Sequence, residues 1–161
     1  MANDRNDFAP EIRKFLEVFE YQDGKLYRKH GQFKGIAGTV HGAGYEQVKI
    51  GKKTYRSHRV IFAMHHGYMP EMLDHVDGNK LNNRVENLRE ATNQQNQFNV
   101  GLLGRNKSGV KNVVWNRCKW KVYMRINSKT KNLGAFEDLE LAELVAIEAR
   151  NKFHGEFVNH G

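Results

Sequence analysis

LDHVDGNKLNNRVENLREATNQQN, residues 73–96, sets an Asp-His dipeptide (Asp74-His75) against a dense run of asparagine in the middle of a basic chain. Seven of the 27 residues from Leu73 to Asn99 are Asn. Asparagine fills cores poorly and forms helices weakly, because its side chain competes for nearby backbone groups. Such density asks for turns, for side-chain hydrogen bonds, or for a metal site. Residues 73–76 read as a short strand, DGNKLNN as a turn-rich loop, and 87–90 as the return strand. Thr92 then caps a helix over TNQQNQFN, with Asn96 one turn in. The order is strand, loop, strand, helix.

Neighbours on a strand point to opposite faces, so Asp74 and His75 are expected to diverge. A carboxylate suits a hard cation such as Mg²⁺, and a neutral imidazole suits a general base near neutral pH. Asn96 can offer a carbonyl oxygen as a second ligand. One metal and one base can activate water and stabilise a leaving oxygen, which phosphodiester cleavage requires. Spacing alone leaves ordinary turn chemistry open beside this reading.

Outward from this stretch the charge is uneven. The 161-residue chain carries a formal charge of +8, which points to a polyanionic partner, most plausibly nucleic acid. Nine Lys/Arg lie between Lys25 and Arg59 against Glu46 alone, and nine more between Arg105 and Lys131 with no acid. A chain that only needed solubility would mix its signs. Cys118 is the single cysteine, so an intrachain disulfide and a Cys-rich zinc site are both excluded. No signal peptide or membrane span is read, and a cytoplasmic protein is expected.

Upstream, PEIRKFLEVF reads as an amphipathic helix with Pro10 in its first turn. Asp23-Gly24 and Gly51-Lys52 mark two hairpins. HRVIFAMHHG reads as a helix stopped by Gly67. Downstream of a linker, Val113, Trp115, Trp120, Val122, Met124 and Ile126 share a period of two and are expected on one packed face. Lys121, Tyr123 and Arg125 then point the other way. A third strand follows near 131–136. Asp138 caps a helix whose stripe is Ala142, Val145, Ala146, Ala149 and Phe153. His58, His65 and His66 read as structural, and His154 carries no signal.

Residues 58–99 resemble the HNH nuclease motif in its ββα-metal form, as found in phage-type homing endonucleases. The resemblance rests on Asp74-His75, Asp77-Gly78-Asn79, Asn82-Asn83, Glu86-Asn87-Leu88 and Asn96, preceded by His58-Arg59-Val60, Gly67 and Pro70. It implies His75 as the general base, Asp74 as a metal ligand, and Asn87 as a brace that orients the His75 loop. Asn96 stands where many members carry a metal-binding His, a departure that favours one Mg²⁺ or Mn²⁺ per active site over Zn²⁺. Asn79, Asn82, Asn83 and Asn93 are assigned to turns. Residues 108–157 are similar to the ethylene-response-factor type of DNA-binding domain. That rests on Ser108-Gly109-Val110, Val113, Lys119-Trp120, Leu133-Gly134, Phe136 and His154-Gly155-Glu156, with Asn112 where a glycine is expected.

The fold class expected is α+β: a ββα-metal nuclease region with an N-terminal β-hairpin extension, plus a small three-stranded antiparallel sheet packed on one helix. The expected boundaries are 1–57 for the extension, 58–100 for the nuclease core, 101–109 for a linker and 110–161 for the DNA-binding domain. Its DNA contacts are expected from Arg117, Lys119, Lys121, Tyr123, Arg125, Lys129 and Lys131. The function read is metal-dependent, nicking cleavage of double-stranded DNA. A DNA-binding regulator with a vestigial site is the alternative. No membrane or other protein partner is implied, and a homodimer is one route to double-strand cutting.

Overall fold

The computed structural model describes residues 8–32, 34–102, 104, 106–126 and 129–158. Leu103 and Arg105 of the expected linker lie outside the described residues. The chain divides into two compact units, 1–90 and 91–161. The division falls before the helix that the ββα reading assigns to the nuclease core.

In the first unit, α1 (Pro10–Val18) buries Ile12 and Phe15, and Pro10 sits where its missing N–H is harmless. β1 (Phe19–Gln22) and β2 (Lys25–Arg28) pair antiparallel through Asp23-Gly24. Both turn residues have positive φ, 50° and 82°, the conformation a two-residue turn needs to match strand twist. β3 (Gly35–Ala37) adds to β2. A second antiparallel sheet has the order β4 (Thr39–His41), β5 (Tyr45–Ile50), β6 (Lys53–Arg56). Glu46, Val48 and Ile50 of β5 point inward. α2 (Ser57–His66) ends at Gly67, whose φ of 81° and N–H bond to Ala63 make the left-handed stop read from the sequence. Val60, Ile61 and Ala63 of α2 meet Phe15, Phe19, Leu26 and Val48 in one core. Each large side chain there contributes about 1.5–3 kcal/mol by leaving water.

β7 (Leu73–His75) and β8 (Leu88–Glu90) form the last hairpin of this unit. Asp74 lies opposite Arg89, and His75 opposite Leu88. Two expected strand residues fall outside the ladder: Val76 is exposed, and Asn87 ends a 3-10 turn, Val85–Asn87. Their backbones still meet through Val76 N–H to the Asn87 carbonyl, 2.9 Å. The side chain of Asn87 is drawn into the loop.

In the second unit, α3 (Asn93–Phe98) opens with a reciprocal capping box between Thr92 and Gln95. β9 (Val113–Asn116), β10 (Lys119–Ile126) and β11 (Lys129–Phe136) form an antiparallel sheet of order β11-β10-β9. α4 (Leu139–His154) packs on it, and the Asp138 carboxylate accepts from Leu141 N–H at 2.9 Å. Val113, Val122, Ala142 and Ala146 are the centre of this core.

Two expectations about this core are corrected. Trp115 is 55% exposed, not packed. It sits near the end of an edge strand and leans edge-on against Trp120, ring centroids 4.7 Å apart. The buried stripe of α4 is Ala142, Ala146, Arg150 and His154, while Phe153 is exposed. A four-residue step tilts the stripe across the helix, and two polar side chains follow it inward. Arg150 donates to the Lys111 carbonyl at 2.6 Å, and His154 stacks on Phe98 at 3.8 Å. Among the described residues no helix is long and apolar enough to cross a membrane.

Candidate active site

The β7–β8 hairpin divides its chemistry between two faces. On one, Arg89 Nε and Nη2 both donate to Asp74 Oδ2, at 3.2 and 2.9 Å. On the other, His75 turns inward and is only 5% exposed. Its Nε2 lies 3.1 Å from Asn83 Oδ1. The ring meets the edge of His58 at 5.0 Å and faces Tyr45 at 6.1 Å. Tyr45 in turn lies under the Arg56 guanidinium at 4.5 Å and the Lys80 ammonium at 4.8 Å. Such cation contacts on an aromatic face bring Arg56 of the basic 25–59 segment and Lys80 of the loop after β7 beside the imidazole pair.

Asn87 holds the loop that follows His75. Its Oδ1 accepts from Asp77 N–H at 3.1 Å, and its Nδ2 donates to Asp77 Oδ1 and the Asn82 carbonyl, at 2.9 and 2.8 Å. Asn82 donates to the other Asp77 oxygen at 2.7 Å. Burial raises the Asp77 pKa, but these bonds, the Asn79 backbone bond and the nearby His75 outweigh it and hold the carboxyl below its usual value. Asn79 closes its own local turn onto Leu81 N–H. Asn83 departs from its neighbours: it is fully buried and bonds side chains remote in sequence.

His58 was read as structural, and the structure places it against His75. Burial, then the charges of His75, Arg56 and Arg59, lower its pKa from 6.5 to about 3. The folded state therefore keeps His58 neutral where the unfolded chain would protonate it. Below pH 6.5 the unfolded state binds the extra proton, so stability falls as pH drops from about 6.5 toward 3. The slope approaches about 1.4 kcal/mol per pH unit for this one group. A His58→Phe variant should lose that part of the slope in denaturant melts between pH 7 and 5. An unchanged slope would contradict it.

Sequence reasoning missed His58, Tyr45, Asn83 and Glu46 as members of this cluster. Glu46 had a signal: it is the lone acid among nine cations. Among the described residues no group of three His, Cys, Asp or Glu forms. A divalent cation would therefore draw on a carboxylate, amide oxygens and water, which suits Mg²⁺ or Mn²⁺. Asp74 is such a carboxylate, and an ionised carboxylate has lone pairs for a cation as well as a guanidinium. Asn96, on α3 in the second unit, has a buried Oδ1 with no hydrogen-bond partner among the described residues. A buried amide oxygen in that state fits a ligand role.

In the second unit the strand register separates the expected DNA contacts. Lys121 pairs with Ala135, Tyr123 with Asn132 and Arg125 with Thr130, so Lys119, Lys121, Tyr123 and Arg125 share one face. Arg117 sits in the adjoining turn with φ 49°. Lys129 and Lys131 pair with Ile126 and Met124 and belong to the opposite face. Lys119 also meets Glu137 at 3.4 Å.

Residues 55–98 match the family model for HNH endonuclease. Protein 3.8 of Escherichia phage T7 is 32% identical over 111 residues, covering 65% of this chain and 89% of that protein. Uncharacterized HNH endonuclease L560 of Acanthamoeba polyphaga mimivirus is 38% identical over 104 residues, covering 62% of this chain and 54% of that protein. No solved structure matches the chain.

Proposed function

The chain belongs to the HNH endonuclease family and is a DNA endonuclease, and on that premise we propose that it nicks duplex DNA with His75 as the general base. The observation that carries this reading is the imidazole of His75, held on Asn83 at 3.1 Å, with the Asp74 carboxylate next to it in the chain and Asn87 bracing the loop beyond. His75 takes a proton from water as the water oxygen bonds to phosphorus. The bond from phosphorus to the 3′ oxygen breaks, that oxygen takes a proton from solvent water, and the ends are 5′-phosphate and 3′-hydroxyl. HNH nucleases generally depend on a divalent metal. By the resemblance alone, Asp74 and Asn96 would be the ligands of the ion, which when bound supplies charge stabilisation to the leaving oxygen. A homing role, cutting an allele that lacks the gene, is the biological setting the resemblance favours.

The test is conversion of supercoiled plasmid, carrying pooled phage and host fragments, to open circles with Mg²⁺ or Mn²⁺ and not with EDTA. Linear product at first appearance would replace nicking by paired cutting. Cleavage unchanged in EDTA would remove the metal.

The second unit would supply affinity, with Arg117, Lys119, Lys121, Tyr123 and Arg125 on DNA and Lys129 and Lys131 at the rim. Each phosphate neutralised contributes about −0.9 to the slope of log K against log salt. Replacing Lys121, Arg125 and Arg117 by Ala should flatten that slope by about 3, measured by fluorescence anisotropy of a labelled duplex. An unchanged slope would take this face off the DNA.

A further inference from the structure

Glu46 takes no part in the chemistry above and Asn83 enters it only by holding His75, yet both are buried beside it, 6% and 1% exposed. They come from β5 and from the loop after β7, and they form a chain of hydrogen bonds with a fixed direction. Lys25 Nζ donates to Glu46 Oε1 at 3.1 Å. Asn83 Nδ2 donates to Glu46 Oε2 at 3.4 Å. Asn83 Oδ1 then faces His75 Nε2 at 3.1 Å. An ionised carboxylate only accepts, so it must meet the NH₂ end of the Asn83 amide. The opposite orientation would set Oδ1 against the carboxylate, and a repulsive contact in a buried site is costly. With the amide so oriented, Oδ1 can only accept, and the His75 nitrogen facing it must be the one that carries the proton.

The backbone is fitted to Glu46 as well. Gly38 has φ 117°, and a Cβ built there would lie 2.7 Å from both Cγ and Cδ of Glu46. The link between β3 and β4 therefore closes on this side chain and limits its freedom. An ion pair with only its carboxylate buried is weak evidence for stability, because desolvation and solvent screening offset the attraction. Directionality gives this one a use.

We infer that Glu46 and Asn83 are positioning residues that fix the ring of His75 in one tautomer, with the proton on Nε2 and the lone pair on Nδ1. The inference rests on His75 being the base, and it names Nδ1 as the atom that receives the proton from water. Neutral histidine has two tautomers, and the hydrogen bond made by one nitrogen decides the state of the other. A base held in the wrong tautomer has no lone pair at the reacting position.

The test is ring ¹⁵N NMR on the full chain labelled at histidine, at pH 8 in EDTA, with the His75 signals assigned from a His75→Gln variant. Wild type should show His75 protonated on Nε2. Glu46→Gln keeps the shape but can donate as well as accept, so Asn83 is released to turn and His75 should show a mixture of tautomers. In the nicking assay that variant should lose about tenfold in kcat with little change in KM for DNA. Asn83→Leu should also shift the pattern, and Glu46→Gln keeps the test open if that variant unfolds. A wild-type His75 protonated on Nδ1, or a pattern unmoved in Glu46→Gln, overturns the inference. The spectrum needs no activity, so wild type that shows the Nε2 pattern yet cuts no DNA would overturn the base role of His75 instead.

Discussion

His75→Ala should lower the nicking rate by about 10²–10⁴-fold, the usual contribution of a positioned general base, while the full chain keeps its affinity for DNA. Alanine also removes a ring from between His58 and Asn83 and leaves the buried Asn83 Oδ1 without the donor on Nε2. A drop in activity could then reflect a loosened fold. His75→Gln separates the two, because its amide N–H can still reach Asn83 but a neutral amide does not take up a proton near pH 7. The expected result is equal loss of cleavage in both variants, with a near-native melting temperature in the Gln variant alone. Retention of cleavage within a few-fold in His75→Gln would end the general-base reading. If wild type binds DNA tightly and cuts none of a target-containing pool, a DNA-binding regulator accounts better for the same residues.

The features legible in the sequence are those fixed by near neighbours. Gly67, Thr92, Asp138, and the Asp23-Gly24 turn all act within four residues, and each is found doing so. The Asp74-His75 divergence is local too, set by the strand pleat. What escaped needed contacts distant in sequence. Asn83 looked like one more loop asparagine, and only the folding of β5 against the β7 loop brings Glu46 to its amide, 37 positions away. The placement of the basic residues on two faces was not legible for a subtler reason. A bulge opposite Val122/Tyr123 displaces the pairing by one residue, so positions 129 and 131 share a face with 126 and 124, while beyond it 134 and 136 share a face with 122 and 120. Side-chain alternation read along β11 cannot locate such a change, because the parity switches within the strand.

Asp74 presents the sharper test of the site, since its carboxylate has a structural partner already. The side chains of Asp74 and Arg89 are 12% and 18% exposed, and the pair spans the two strands at 2.9 Å. Asp74→Ala leaves the guanidinium without that partner in a place of low solvation. The expected cost is about 1–3 kcal/mol, between a surface pair and a fully buried one. Loss of a metal ligand should separately remove several kcal/mol of transition-state stabilisation, on the order of 10³-fold in rate. The single variant confounds these effects, and the double variant Asp74→Ala with Arg89→Met resolves them. It removes both charges and restores apolar packing against the strand, so stability should return toward wild type. Cleavage should stay at the level of Asp74→Ala, and calorimetric titration with Mn²⁺ should show affinity weakened alike in the single and double variants and in Asn96→Ala. If cleavage instead recovers in the double variant, Asp74 serves to neutralise Arg89 and the divalent ion is held elsewhere. Separation of stability from turnover is expected because Arg89 can be replaced together with its partner, whereas an oxygen donor lost from Asp74 has no substitute on that face of β7.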